Sequence, residues 1–153
     1  MGIAERLRGL GIELPQPAAP LAAYVGYVAH AGTVVISGQL PLRDGEPAFH
    51  GVLGESVTID DGYQAARLCA INVLAQLRSA VDGDWSRVDR CIRLGGFVAA
   101  VPVFEAHPKV VNGASELIAE VLGERGAHAR AAVGVASLPL GVPVEVEATF
   151  ALR

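Results

Sequence analysis

One arginine stands among small apolar residues near the C-terminus of this 153-residue chain. Arg130 begins the run RAAVGV, in which Arg130, Ala132 and Gly134 would lie on one face of a strand. A buried guanidinium without a partner is costly, so Arg130 needs an acceptor. The strand pattern leaves three interpretations. Arg130 forms a salt bridge with Glu145 or Glu147 on the following strand, or it ends a strand in solvent, or its fork binds the carboxylate of a small ligand.

Two glutamates in the last strand are the second candidates for chemistry. Glu145 and Glu147 are two residues apart in VEVEATFAL, so they point to the same side, opposite Val144 and Val146. One interpretation is the solvated face of an antiparallel strand. The other is that a glutamate orients a water molecule or exchanges a proton with a substrate.

Three further positions carry weaker signals. Ser37-Gly38-Gln39 ends a β-rich run, where a glycine usually marks a bulge or a close backbone approach. Asn112-Gly113 lies at or inside a predicted helix and by itself indicates a turn or a cap. Tyr24 alternates with small residues, and core packing is its default interpretation.

Several classes of function have no support in the residues. The four histidines show no paired spacing, so no metal site is predicted. The two cysteines are far apart in apolar segments and are predicted to be buried and reduced. Phosphate-loop, dinucleotide and serine-elbow motifs are absent. The net charge of −4 and the scattered basic residues disfavour a nucleic-acid partner.

Composition predicts an oligomer. Hydrophobic residues make up 52% of the chain and charged residues 18%, an apolar excess that a small monomer would expose to water. No apolar run is long enough to span a bilayer, and the N-terminus lacks the apolar core of a signal peptide. We therefore expect a cytoplasmic protein without a membrane partner.

The order of elements predicts an α+β domain in which a mixed sheet is covered on one face by two main helices. A hairpin is expected around Ala31-Gly32, followed by a turn-rich segment over residues 42–54. Thr58 is expected to cap the first long helix. The other predicted elements are a short helix over residues 4–10 with a proline-rich arm after it, helices over 58–81 and 109–126, and strands within 87–101, 128–136 and 144–152.

Three segments together resemble the RidA family, also called the YjgF/YER057c/UK114 family. They are YVGYVAHAGTVVISGQLP, GFVAAVPVFEAHPKVVNGAS and ARAAVGVASLPLGVPVEVEATFAL. The resemblance runs from about Leu21 to the C-terminus, which divides the chain into an N-terminal extension of residues 1–20 and a single domain of residues 21–153. It implies a chorismate-mutase-like fold and a homotrimer whose sheets close into a central barrel, with clefts between subunits.

The resemblance also implies an activity. Members of the RidA branch hydrolyse reactive enamine and imine acids, such as 2-aminoacrylate, to 2-oxo acids and ammonia, without a metal or a cofactor. The matching motif positions make Arg130 the clamp for the substrate carboxylate and Glu145 the residue that positions a water molecule. The remaining matches are substrate-binding residues: Tyr24, Ser37, Gly38 and Asn112. Ala132 stands where some deaminating members have a cysteine.

Two alternatives accompany this interpretation. The same cleft could bind a small carboxylate without turnover, as a regulatory protein would, and this alternative also needs Arg130. Some family members carry an endoribonuclease label, although the low positive charge counts against RNA as a substrate here.

Overall fold

A five-stranded sheet covered on one face by two long helices forms the body of the chain. The computed structural model describes all 153 residues. The strands are β1 (Tyr27–His30), β2 (Thr33–Gln39), β3 (Leu42–Arg43), β4 (Glu46–Pro47), β5 (Val88–Ala99), β6 (Ala129–Val135) and β7 (Val144–Leu152). The helices are α1 (Ile3–Gly9), α2 (Ile59–Ala80) and α3 (His107–Leu122). The predicted α+β architecture is confirmed.

The order of strands in the sheet separates the two segments that carry the main candidates. The order is β1-β2-β7-β5-β6, and β3 pairs only with β4. All neighbours in the large sheet are antiparallel except β5 and β6, which are parallel and are joined through α3. Because β5 lies between β6 and β7, the strand of Arg130 does not contact the strand of Glu145.

Both long helices begin and end where local chemistry favours it. The Thr58 hydroxyl accepts a hydrogen bond from the Asp61 N–H at 3.1 Å, which confirms the predicted cap of α2. Helix α3 begins at His107, two residues earlier than predicted, with Pro108 in its first turn. It ends at Gly123, whose φ of 64° is readily adopted by glycine.

The hydrophobic core lies between the helices and the covered face of the sheet. Ile3 and Leu7 of α1 and Leu14 of the arm belong to the same cluster of buried residues as the long helices. The first twenty residues therefore pack on the domain, and the predicted boundary at residue 20 stays a prediction. Cys69 and Cys91 are buried and free, as expected.

The other face of the sheet has no covering layer within the chain. Val28 and Val35, which are paired in register, are more than half exposed there. None of the helices is both long enough and apolar enough to cross a bilayer. A cytoplasmic location stays a prediction.

Candidate functional site

The guanidinium of Arg130 is held by α3 and has no carboxylate partner in the chain. Its Nη1 donates to Asn112 Oδ1 at 2.8 Å and to Ser115 Oγ at 3.1 Å. Nη2 makes a long contact of 3.5 Å with the carbonyl oxygen of Pro108. No salt bridge involves Arg130, so the proposed pair with Glu145 or Glu147 does not form within one chain.

These contacts leave one edge of the guanidinium free. Both N–H groups of Nη1 are used by Asn112 and Ser115, whereas Nε has no partner and Nη2 has only the long contact. Nε–H and one Nη2–H of an arginine are parallel, and this edge matches the two oxygens of a carboxylate. Arg130 is therefore fixed from one side and keeps a bidentate donor edge on the other.

A hydrogen-bonded relay supports Arg130 from behind. His128 Nδ1 lies 2.6 Å from the carbonyl oxygen of Gly126, which can only accept, so Nδ1 donates. In the neutral imidazole Nε2 then accepts from the Ser115 hydroxyl at 2.9 Å. The same hydroxyl oxygen accepts from Arg130. Ser115 thus has both roles satisfied, which fixes the direction of the relay.

Close packing of α3 sets the position of Asn112. A Cβ atom on Gly96 of β5 would lie 2.5 Å from Val111 Cγ2, and one on Gly113 would collide with the Tyr63 carbonyl oxygen of α2. The residues on either side of Asn112 are therefore pressed against β5 and against α2. The two glycines allow this approach, and it holds the amide oxygen where Arg130 needs it.

Glu145 occupies a different part of the molecule, beside a bulge in β2. The pairing of β2 with β7 is interrupted between Ile36 and Gln39, as the Ser37-Gly38-Gln39 motif suggested. The Glu145 carboxylate lies directly over Gly38, so a Cβ atom there would collide with Oε1. The pKa of Glu145 is raised above its ordinary value. Burial is the larger cause, and the nearby charge of Glu147 is the smaller one.

Glu147 has its own partner. Its Oε1 lies 3.3 Å from Arg93 Nη1, and both side chains are about half exposed. In contrast, Glu145 has no cation within 4 Å, so its charge is compensated less well. The two glutamates share a strand face but differ in environment, and Glu145 is the one suited to exchanging a proton.

Ser37 shapes the neighbouring loop instead of lining a cavity. Its hydroxyl donates to the Val25 carbonyl oxygen at 2.6 Å, and its N–H donates to the Gly26 carbonyl oxygen at 2.9 Å. Tyr24 lies in this loop, three residues before β1, and is half exposed. Ser37 therefore holds the loop that carries Tyr24. Direct contact of Ser37 with a substrate stays a prediction.

A cavity of about 50 Å³ brings three of the predicted residues together. Tyr24, Gly38 and Glu145 line it, whereas Arg130 and Asn112 do not. The sequence-predicted residues thus form two groups, one beside the cavity and one on α3 and β6.

The two groups lie on opposite faces of the sheet. Arg130 pairs in register with Leu94, which pairs with Ala148, and both are buried under the helices. Glu145 pairs with Phe97, which pairs with Val133, and these point to the uncovered face. One small ligand cannot reach both groups within a single chain.

Sequence reasoning missed several residues of these groups. Ser115 is three residues after Asn112 on α3, and His128 is two before Arg130, so helical and strand spacing would have found them. Buried Asn72 and Gln76 of α2 were also missed, because polar residues beside the apolar face of a helix are usually exposed. These two amides bind the loops around the cavity.

Metal ligation and thiol chemistry have little basis in this geometry. No three or more His, Cys, Asp or Glu side chains converge to hold a metal ion. Burial raises the pKa of Cys91 to about 12, and it raises the pKa of Cys69 well above its ordinary value. Neither thiol is ionised near neutral pH, so neither is an activated nucleophile.

Comparison with known proteins gives a family match over almost the whole chain. A sequence model of the family described as "YjgF/chorismate_mutase-like, putative endoribonuclease" matches residues 4–148. Protein TCP17 of Trypanosoma cruzi is 47% identical over 152 residues, which cover 99% of this chain and 94% of that protein.

Solved structures share the fold at different levels of similarity. The protein Atu1372 of Agrobacterium tumefaciens, a protein with unknown function, is 46% identical with a TM-score of 0.92; the match covers 99% of this chain and 92% of that one. TdcF of E. coli, solved with bound serine, is 25% identical with a TM-score of 0.63, covering 90% of this chain and 93% of that one.

Proposed function

Because the chain belongs to the YjgF/chorismate-mutase-like family, we propose that it hydrolyses reactive 2-imino and enamine acids to 2-oxo acids and ammonia. The substrates resemble 2-aminoacrylate, and no metal or cofactor takes part. The site forms between subunits of a homotrimer, where Arg130 of one chain meets Glu145 of its neighbour. Asn112 positions Arg130, and Tyr24, Ser37 and Gly38 shape the part of the site around Glu145.

The free edge of Arg130 is the observation that carries this proposal. A guanidinium that is held by neutral acceptors and lacks a carboxylate retains its full charge for a ligand. A charge-assisted contact with a substrate carboxylate is worth roughly 1.5–3 kcal/mol. It also fixes the plane of the carboxylate, and hence the orientation of the adjacent C2 atom.

Glu145 is suited to the proton transfers of the reaction. A carboxyl group whose pKa is raised exchanges protons more readily near neutral pH than an ordinary glutamate does. An enamine substrate first becomes the imine, as a proton moves from nitrogen to the terminal carbon. The Glu145 carboxylate then takes a proton from a water molecule as the water oxygen bonds to C2, and the C=N electron pair moves to nitrogen. Glu145 returns this proton to the nitrogen, which becomes an amino group. The proton of the C2 hydroxyl passes to the amino group as the C–N bond breaks, so ammonia leaves and the 2-oxo acid remains.

The uncovered sheet face supports the trimer. Val28 and Val35 expose apolar surface where no element of the same chain covers them. Association through this face would bury that surface. In the same proposed trimer the edge strand β6, which carries Arg130, would lie next to a neighbouring chain. Light scattering tests this directly, because the expected mass is three times the 15.8 kDa of one chain.

One observation favours a second candidate, a binding protein that does not turn its ligand over. The TdcF structure contains serine, an amino acid whose carboxylate has the chemistry that Arg130 would recognise. Serine and 2-aminoacrylate differ by one molecule of water, so the same observation also fits the hydrolase. The endoribonuclease label in the family description finds less support, because the chain carries a net charge of −4.

The decisive experiment generates 2-aminoacrylate or 2-iminobutanoate in situ and measures how much the protein accelerates release of the 2-oxo acid. We expect acceleration by the wild type and a loss of about tenfold to a hundredfold in Arg130→Ala. Arg67→Ala is the matched control, because Arg67 lies on the helical surface in an exposed pair with Glu120. It should keep the wild-type rate.

The two candidate functions give different results. A folded wild type that accelerates none of these reactions, but binds 2-oxo acids through Arg130, would establish the binding protein. Turnover that survives in Arg130→Ala would reject the clamp and with it the proposed site.

A further inference from the structure

The buried polar side chains of this protein are concentrated around one cavity. Only Gln39, Asn72 and Gln76 are buried among the polar and charged residues of the whole chain. Gln39 and Gln76 line the cavity beside Glu145, and Asn72 binds one of its walls. Buried amides are costly unless they are satisfied, so their presence indicates that the shape of this cavity is fixed.

Asn72 and Gln76 hold opposite walls from a single helix. They are four residues apart on α2 and so lie on one side of it. Asn72 Nδ2 donates to the carbonyl oxygens of Leu40 at 2.9 Å and Leu42 at 3.1 Å. These two bonds fix the segment of residues 40–42 after β2, which forms one wall of the cavity.

The second wall is the proline-rich arm. Gln76 Nε2 donates to the Ala18 carbonyl oxygen at 3.1 Å, and Arg78 Nη2 donates to that of Pro15 at 3.0 Å. The Gln76 side chain also lies against Gly26, where a Cβ atom would come within 2.5 Å of Oε1. Gln76 thus ties the arm to the loop that carries Tyr24.

The two walls of the cavity are apolar, and the polar side chains in its lining include Gln39, Gln76 and Glu145. The arm contributes Ala18, Ala19, Pro20 and Leu21, and the opposite wall contributes Leu40 and Leu42. Glu145 is the one ionisable carboxyl in the lining. The volume of about 50 Å³ is room for roughly three to five water-sized groups, since one water needs about 10–15 Å³.

We propose that the arm, residues 15–21, is the wall that selects the side chain of the substrate. It admits aliphatic side chains of up to about four carbons and excludes aromatic ones. This inference rests on the proposed function, because it places the carbon that reacts beside Glu145 and the side chain against the arm. Apolar walls favour an aliphatic group. The arm is held by hydrogen bonds, so the cavity does not widen to accept an aromatic ring.

The test compares 2-imino acids with methyl, isobutyl and benzyl side chains, generated in situ by an amino-acid oxidase. The wild type should show a kcat/KM for the benzyl substrate that is lower than for the isobutyl substrate by about tenfold or more. Leu21→Ala shortens the wall, and Gln76→Ala removes one of the two side-chain hydrogen bonds that hold the arm. Both should raise the ratio of benzyl to methyl kcat/KM by about tenfold.

A narrowing variant gives the opposite effect. Ala19→Leu fills the space and should lower kcat/KM for the isobutyl substrate while leaving the methyl substrate close to the wild-type value. Gln64→Ala is the matched control, because Gln64 is exposed on the same helix and lies outside the cavity. A wild type that handles benzyl as well as isobutyl, or folded widening variants that keep the wild-type ratio, would overturn the proposal.

Binding of the stable 2-oxo acids with the same side chains separates this inference from the proposed function. Calorimetry that ranks them by size, with the rank relaxed in Leu21→Ala, supports the selecting wall even if no imine is hydrolysed. Turnover or binding that is indifferent to size rejects the wall and leaves the hydrolase intact. Absence of both turnover and binding rejects the two together.

Discussion

Arg130 and Glu145 lie on opposite faces of one sheet, with the strand β5 between their own strands. Arg130 shares its face with buried Leu94, whereas Glu145 shares its face with Phe97. Each side chain is nonetheless prepared for chemistry, since Arg130 keeps a free donor edge and the pKa of Glu145 is raised. In the proposed trimer, one chain therefore contributes Arg130 to one site and Glu145 to another.

This arrangement predicts that two impaired variants restore each other. Arg130→Ala and Glu145→Gln should each lose most of the activity when expressed alone. Co-expressed with different tags, they should regain about a third of the wild-type rate in mixed trimers, because a trimer that contains both variants pairs an intact Arg130 with an intact Glu145 at one of its three interfaces. Mixed trimers, isolated by both tags, are assayed for release of the 2-oxo acid.

Each variant co-expressed with itself under a second tag is the control. Mixed trimers that stay inactive would mean that both residues must come from one chain. The opposite-face arrangement would then have to change before catalysis.

The relay behind Arg130 predicts a loss of substrate affinity rather than of folding. Ser115→Ala and His128→Ala should each raise KM by about threefold to tenfold, because the orientation of the Arg130 guanidinium is then less well fixed. The double variant should resemble the single ones, since the two side chains act as a unit. Ser79→Ala, which removes a hydroxyl with no hydrogen bond, is the control. Equal losses in kcat and thermal stability without a change in KM would contradict the relay.

The contact between Gly38 and Glu145 predicts an effect on kcat. Gly38→Ala places a methyl group where the Glu145 carboxylate now lies, so the side chain must rotate away. We expect kcat to fall by about tenfold or more, with a small change in melting temperature because the displaced atoms belong to a flexible side chain. Gly9→Ala, where a Cβ atom meets nothing within 4 Å, should match the wild type. An unchanged kcat would exclude Glu145 from the reaction.

The environment of Glu145 predicts the pH dependence. Burial first and the charge of Glu147 second raise the pKa of Glu145. If the carboxylate is the base, kcat falls on the acid side around this raised pKa. Glu147→Gln removes the second cause and frees Arg93, and both changes stabilise the carboxylate, so the acid limb moves to lower pH.

The same shift has a consequence for stability. The folded chain binds the Glu145 proton more tightly than the unfolded chain, so this group's contribution to the free energy of unfolding falls as pH rises from the ordinary glutamate pKa through the raised one. A pH series of kcat and of melting temperature checks both statements. Glu124→Gln, at an exposed carboxylate beyond α3, should leave the acid limb in place.

Local signals were sufficient for much of the fold. Thr58 and the two aspartates after it mark the start of α2, and Gly123 marks the end of α3, because caps depend on residues within one turn. The alternation of β7 gave its buried face in the same way. Arg130 stood out because a cation in a small-residue strand needs a partner wherever the strand lies.

Tertiary structure decided which partner that is. The sequence placed the strands of Arg130 and Glu145 one after the other, which suggested a salt bridge between neighbours, but β5 enters between them. Strand order depends on contacts between residues far apart in the chain, and no local pattern encodes it. The insertion leaves Arg130 to the neutral acceptors Asn112 and Ser115.

The cavity illustrates the same division. The proline-rich arm was visible in the sequence as an extended segment, since proline fixes φ and removes donors. Its course along α2, and the contact of Gln76 with Ala18, join residues that are 58 positions apart. The sequence by itself determined the elements and the residues able to do chemistry, because these follow from short-range preferences. Only the packed structure decided which of them share a face, a wall or a hydrogen bond, because burial and long-range pairing set those contacts.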